Sequence, residues 1–158
     1  MNRKSFTLIE LLIVIIILAV LATLLTGSFF TSLKKGRDAK RKADLESIQK
    51  SVEMFYEDKR SYPTFALSTK LCETSDVNCP GKVYMEKVPS DPLSGSSYGY
   101  EYDLQGTYYK LYACLENDLQ ILPYISSPNG FTCSHKCKDQ SNNAVDCIWG
   151  ISSGNTTP

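Results

Sequence analysis

Residues 6–30 constrain this chain more than any other stretch. From Phe6 to Phe30 run 25 residues with a single charged side chain, Glu10. A hydrocarbon core takes about 20 apolar residues of helix, so the run is long enough to span a bilayer. A short basic segment, with Arg3 and Lys4, stands in front of it. A carboxylate at the centre of a bilayer costs about 2.5–3.5 kcal/mol on insertion scales. Glu10 therefore demands a reason and a partner. A secretory signal peptide fits poorly, because the apolar run is too long and Ala19-Val20-Leu21-Ala22 is not followed by a polar loop. A plain membrane anchor would leave Glu10 unexplained.

The helical pattern continues past the apolar run. Leu45, Ile48, Val52 and Phe55 share one face, while Asp38 with Lys42 and Glu46 with Lys50 are acid-to-base pairs one turn apart. No proline occurs between Phe6 and Tyr62, which predicts one helix from Phe6 to about Asp58. At ~1.5 Å per residue it would run about 80 Å. Ser61-Tyr62-Pro63 ends it, since proline disfavours helical geometry in the residue before it.

The first residues of the run carry a resemblance. Ser5-Phe6-Thr7-Leu8-Ile9-Glu10-Leu11 is similar to the processing site of the type IV pilin superfamily, which includes type IV pilins and the pseudopilins of type II secretion. The resemblance implies that a prepilin peptidase cuts between Ser5 and Phe6 and that the new amino terminus of Phe6 is methylated. The family usually has Gly before the cut; this chain has Ser5, which is also small. Glu10 then becomes the assembly residue, pairing with the ammonium group of Phe6 on a neighbouring subunit. Gly36 to Pro63 is similar to the corresponding helix of major pseudopilins, and Val88-Pro89-Ser90-Asp91-Pro92 resembles their Pro-x-Asp-Pro element ahead of the sheet. Gly27 sits where many members carry a kinking Pro.

The resemblance implies an α+β pilin fold. A long N-terminal helix, membrane-spanning in its first half and amphipathic in its second, packs on a small antiparallel sheet with a disulfide-bonded C-terminal loop region. The expected divisions are a leader at 1–5, a transmembrane or filament-core helix at 6–30, an amphipathic helix at 31–60, an extracytoplasmic β domain at 61–150 and a flexible tail at 151–158. Tyr98 to Leu115 alternates with period two about Gln105-Gly106 and predicts a hairpin whose one face covers Leu45, Ile48, Val52 and Phe55. The density of tyrosines admits an adhesive surface or, more simply, half-buried strand residues with hydroxyls at the rim. Residues 63–92, with four prolines, read as mostly loop, and the chain from Glu116 onward as irregular.

Charge and cysteine content bear on location and partners. Lys+Arg and Asp+Glu both number 17, and loss of Arg3 and Lys4 leaves 15 against 17. Neither balance suggests a nucleic-acid surface, short of a DNA-uptake pilus. The basic cluster Lys34, Lys35, Arg37, Lys40, Arg41, Lys42 follows the apolar run and by charge alone would face the cytoplasm. The six cysteines, all after residue 70, argue for an oxidising compartment. The cysteines and the family topology put the globular part outside the cytoplasmic membrane, in one pass, and later in a periplasmic or cell-surface filament. The basic cluster then faces headgroups and solvent, or pairs between subunits with acids such as Asp44, Glu46, Glu53 and Asp58. Implied partners are further pilin or pseudopilin subunits, the peptidase, the inner-membrane assembly machinery and the bilayer itself.

Cys72 and Cys79 are expected to close a small loop, with Cys114, Cys133, Cys137 and Cys147 sharing two further bridges. Cys133, His135 and Cys137 lack the second ligand pair that a zinc site needs. Major pseudopilins often bind calcium in their terminal region. Here the glycine-rich acidic loop is absent, which leaves Asp139 and Asp146 as weak calcium candidates and cysteines as the expected replacement. Asn155-Thr156-Thr157 matches a glycosylation sequon. Among the motifs sought, no catalytic constellation, phosphate loop or nucleophile elbow is found, so an enzyme is not expected. The competing reading is a membrane-anchored extracytoplasmic binding module that does not polymerise.

Overall fold

The computed structural model describes residues 6–67, 69–76, 78–118, 131–139 and 141–155, without the side chains of residues 24–28. Two compact units are present, Met1–Lys34 and Lys35–Pro158. Helix α1 runs from Leu8 to Lys59. Its start is a capping box. The Glu10 carboxylate accepts the Thr7 amide at 3.0 Å and the Thr7 hydroxyl at 2.8 Å, and Thr7 Oγ1 accepts the Glu10 amide at 3.3 Å. The helix is unbroken through Gly27. It ends at Lys59, one residue beyond the expected Asp58, and is followed by Arg60, whose φ of 57° is left-handed and whose amide bonds back to the Tyr56 carbonyl at 2.7 Å. That is a helix stop more often supplied by glycine.

The second unit is built on the predicted stripe. Leu45, Ile48, Val52 and Phe55 are buried against Tyr62, Leu71, Tyr84, Tyr109, Leu111 and Ala113. Strand β3 (Gly99–Tyr102) and strand β4 (Tyr109–Cys114) form the expected hairpin, paired from Gly99 with Tyr112 to Tyr102 with Tyr109. Alternation along β4 sends Tyr109, Leu111 and Ala113 into this core. The turn closes at Gly106, with φ 67°, where the carbonyl accepts the Tyr62 amide at 2.9 Å. A Cβ there would meet Ser61 Oγ at 2.1 Å, so glycine is required for both conformation and space.

Among the described residues, 63–92 are mostly loop, as expected, around a short two-stranded ribbon, β1 (Leu71–Cys72) with β2 (Val83–Met85). Two expectations about the remaining chain are corrected. Beyond Glu116 the chain forms a second ribbon, β5 (Lys136–Lys138) with β6 (Ala144–Asp146). It then adds a third strand, β7 (Ile148–Ser152), to the main sheet, giving the order β3-β4-β7. Ile151 and Ser152, expected in a flexible tail, pair with Leu111 and Lys110. Ser153 is buried and bonded to Tyr109, and the Asn155 side chain donates to the Thr107 carbonyl at 2.8 Å. Backbone pairing along β4 orders this stretch as far as Ser153. Thr156 and Thr157 of the sequon lie outside the described residues.

Both faces of the sheet are covered. The outer face holds Tyr112 with Cys133, Ile148 and the ring of Phe131. The bridges are Cys72–Cys79, Cys114–Cys133 and Cys137–Cys147. The first is the predicted loop; the other two resolve a pairing that the sequence left open.

Candidate assembly site

The N-terminal unit presents apolar side chains with nothing packed on them. Leu8 is 89% exposed, and side chains from Ile9 to Leu21, with Phe29 and Phe30, are about half exposed or more. Single exposed leucines are ordinary, but a continuous apolar helix surface marks a membrane or a partner. Glu10 lies within this surface, one turn from its start. Its charge is held by the chain's own Thr7, so the carboxylate is pre-positioned at the helix end that favours an anion. Ser5, on the far side of the expected cut, lies outside the described residues, while Phe6 is exposed ahead of the helix. Among the described residues no helix is long and apolar enough to cross a membrane.

Where the helix enters the globular unit, the basic cluster divides. Arg37 and Arg41 turn onto carboxylates of their own chain, Arg41 buried and Arg37 half-buried. Arg41 is 3% exposed and holds three carboxylates. Its Nε donates to Asp91 at 2.5 Å, and its Nη1 reaches Asp38 at 2.8 Å and Glu116 at 2.6 Å. Arg37 grips Glu116 from the other side, Nε to Oε1 at 2.9 Å and Nη2 to Oε2 at 2.6 Å. Asp38 also accepts the amides of Glu116 and Asn117, both at 2.9 Å. This network fastens the helix to the end of β4 and, through Asp91, to the Pro-Ser-Asp-Pro element. Hydrogen bonds from Arg37 and Arg41 outweigh burial and bring the Glu116 carboxyl down to about 2. Burial pushes Asp91 up, but Arg41 and the amides of Ser94 and Leu93 overcome it and hold the group well below the usual range.

Most of the acids expected to meet a neighbour's lysines are engaged within the chain. Tyr98 donates to Asp44 at 2.8 Å, Tyr109 to Glu53 at 2.7 Å, and Tyr84 to Asp58 at 3.0 Å. The tyrosines thus bind sheet to helix through their hydroxyls. Glu46 remains exposed.

The candidate calcium residues are not brought together. Asp139 closes the β5–β6 turn by accepting the amides of Ser141 and Asn143, each at 2.8 Å. Asp146 pairs with Lys136 and accepts the Cys133 amide at 3.3 Å. Among the described residues no group of three or more metal-ligating side chains occurs.

A helix with bare apolar side chains from Leu8 to Leu21, whose later half packs on a small antiparallel sheet, defines a pilin-like subunit. The family described as prokaryotic N-terminal methylation motif matches residues 1–26, and the family described as type II secretion system protein G matches residues 28–118. The chain belongs to the type II secretion system protein G family. The chain is 31% identical over 103 residues to the type II secretion system core protein G of Klebsiella pneumoniae, covering 61% of this chain and 73% of that one. The corresponding protein of Pectobacterium carotovorum is 29% identical over 103 residues, 61% of this chain but only 65% of that protein. The type IV wide pilus major component of Thermus thermophilus is 44% identical over 61 residues, 39% of this chain and 47% of its own. No solved structure matches the chain. The protein G match ends at residue 118, ahead of Cys133, Cys137, Cys147 and both calcium candidates.

The inward network was missed in the sequence, although a signal for it was present. Asp38 and Arg41 lie seven and four residues before Leu45, on the continuation of the apolar stripe.

Proposed function

We propose that this chain is a structural subunit that polymerises through α1 into a pseudopilus-type filament. It is inserted as a precursor in the cytoplasmic membrane with its globular part outside, cut between Ser5 and Phe6, and methylated on Phe6. The observation that carries this reading is the bare apolar surface of α1 with a capped carboxylate one turn from its start. In a bilayer that surface is solvated by lipid; in a filament it is buried against copies of itself. Glu10 then exchanges its Thr7 partner for the ammonium group of Phe6 on a neighbour. The attraction is strong where water is excluded, and it sets the axial register. The peptidase and the inner-membrane machinery are the partners this route requires. The names of the relatives favour a secretion pseudopilus over a surface pilus.

Substituting Glu10 by Ala in the full chain tests the reading. Membrane insertion and the globular fold should persist, while sedimentable filaments are lost. Filaments at wild-type yield would contradict it.

A further inference from the structure

Of the six bases that follow the apolar run, four are engaged within the chain. Arg37 and Arg41 hold the carboxylates of Glu116, Asp38 and Asp91. Lys40 lies 3.7 Å from Asp44, and the Lys42 ammonium sits 5.6 Å from the centre of the Trp149 ring. Lys34 and Lys35 differ. Among the described residues no carboxylate lies within ion-pair distance of either. Lys34 is half-buried and Lys35, next in sequence, is exposed. Two ammonium groups therefore carry uncompensated charge just past the apolar run.

The helix ahead of them indicates what that charge faces. Phe29 and Phe30 are 59% and 66% exposed, and their rings meet edge to face at 6.1 Å. From Leu8 to Phe30 the helix axis advances about 33 Å, close to the ~30 Å of a hydrocarbon core. With Leu8 at the inner boundary of that core, the phenylalanines stand at its outer boundary. Lys34 comes four residues after Phe30, on the same face and about 6 Å further along the axis. The headgroup layer is roughly 5–7 Å deep on each side, so the ammonium groups fall at the depth of lipid phosphates. A lysine stem can lie along apolar surface while its charge reaches that layer. The competing partner is a carboxylate of a neighbouring copy. Asp44, Glu53 and Asp58 each accept a tyrosine hydroxyl of their own chain, which leaves Glu46 of the four candidate acids.

We propose that Lys34 and Lys35 bind the phosphodiester of anionic phospholipids in the outer leaflet of the cytoplasmic membrane, with Phe29 and Phe30 seated at the acyl boundary beneath. A zwitterionic headgroup offers its phosphate together with a cation, so the net attraction is for the anionic lipid. The site rests on the membrane stage of the reading above. It adds to that stage the class of lipid that holds the subunit before assembly.

The test uses the full chain in a non-ionic detergent, titrated with phosphatidylglycerol or phosphatidylcholine, with bound lipid counted by native mass spectrometry. One basic residue near an anionic surface strengthens binding about fivefold. Lys34→Gln combined with Lys35→Gln should therefore lower the preference for phosphatidylglycerol about 25-fold, and Lys34→Arg with Lys35→Arg should retain it. The wild-type preference should shrink as salt is raised. The thermal melt of the globular unit should be the same in all three chains, since neither lysine holds a carboxylate. A wild-type preference in the glutamine variant would overturn the site, and loss of filaments alongside it would assign the lysines to an acid of a neighbouring copy. Displacement of the lipid by millimolar inorganic phosphate would also overturn it, in favour of a free anion. An unsubstituted chain recovered from cells in the soluble fraction, with no lipid of either kind bound, would instead overturn the membrane reading itself.

Discussion

At the scale of single residues, Arg41 does the most to organise the globular unit. It is the shared partner of carboxylates from three places in the chain, Asp38, Asp91 and Glu116. Removing one member of a buried ionic network leaves the others unpaired, at a cost of about 3–5 kcal/mol. Arg41→Met should therefore lower the stability of the globular unit by that amount in urea unfolding. The network also predicts a pH dependence. Glu116 has a folded value near 2 against an ordinary 4.5, and Asp91 is depressed in the same direction. A depressed carboxyl contributes stability that is fully present above its unfolded value. Thermal melts should be level above the ordinary carboxylate range, then fall as pH drops from 4.5 toward 2. Glu116→Gln should start lower and fall less. Arg60 offers the opposite case. Its left-handed φ of 57° costs an L residue free energy that glycine does not incur. Arg60→Gly should raise stability by about 0.5–1 kcal/mol. None of these roles was read from the sequence, although Asp38 and Arg41 continue the stripe that begins at Leu45. The Asp91 and Glu116 partners lie 50 and 75 residues from Arg41, and no local pattern joins groups so distant.

At the scale of elements, the helix and the first hairpin could be read directly, and the later strands could not. The helix declares itself by an absence of proline and by a stripe of Leu45, Ile48, Val52 and Phe55, all buried as expected. The β3–β4 hairpin declares itself by alternation about Gly106. Strand β7 hides, because Gly150 breaks its alternation and because it borrows its order from β4 across the sheet. Likewise β5 and β6 are three residues each and depend on the Cys137–Cys147 bridge and the Asp139 turn more than on strand propensity. Replacing Cys137 and Cys147 together by Ser should cost about 2–4 kcal/mol. Hydrogen exchange should then show Lys136–Asp146 opened, while β3 and β4 stay protected. Equal loss of protection in all strands would instead make this ribbon part of the main core.

At the scale of the whole molecule, the surface chemistry is divided. In the globular unit, acids, bases and tyrosine hydroxyls are largely paired with one another. In the N-terminal unit, apolar side chains from Leu8 to Leu21 are bare. Each buried side chain of this size contributes roughly 1.5–3 kcal/mol when removed from water, so a medium or partner must cover the surface. Membership of the protein G family and the methylation motif at residues 1–26 agree with both environments in turn, membrane and then filament. The most direct test is the intact mass of the chain isolated from its filament or membrane fraction, before and after reduction. The account predicts a chain that begins at Phe6 with one added methyl group and gains two hydrogens for each of three disulfides on reduction. A chain that still begins at Met1, without the methyl group, would contradict it and make α1 a permanent anchor.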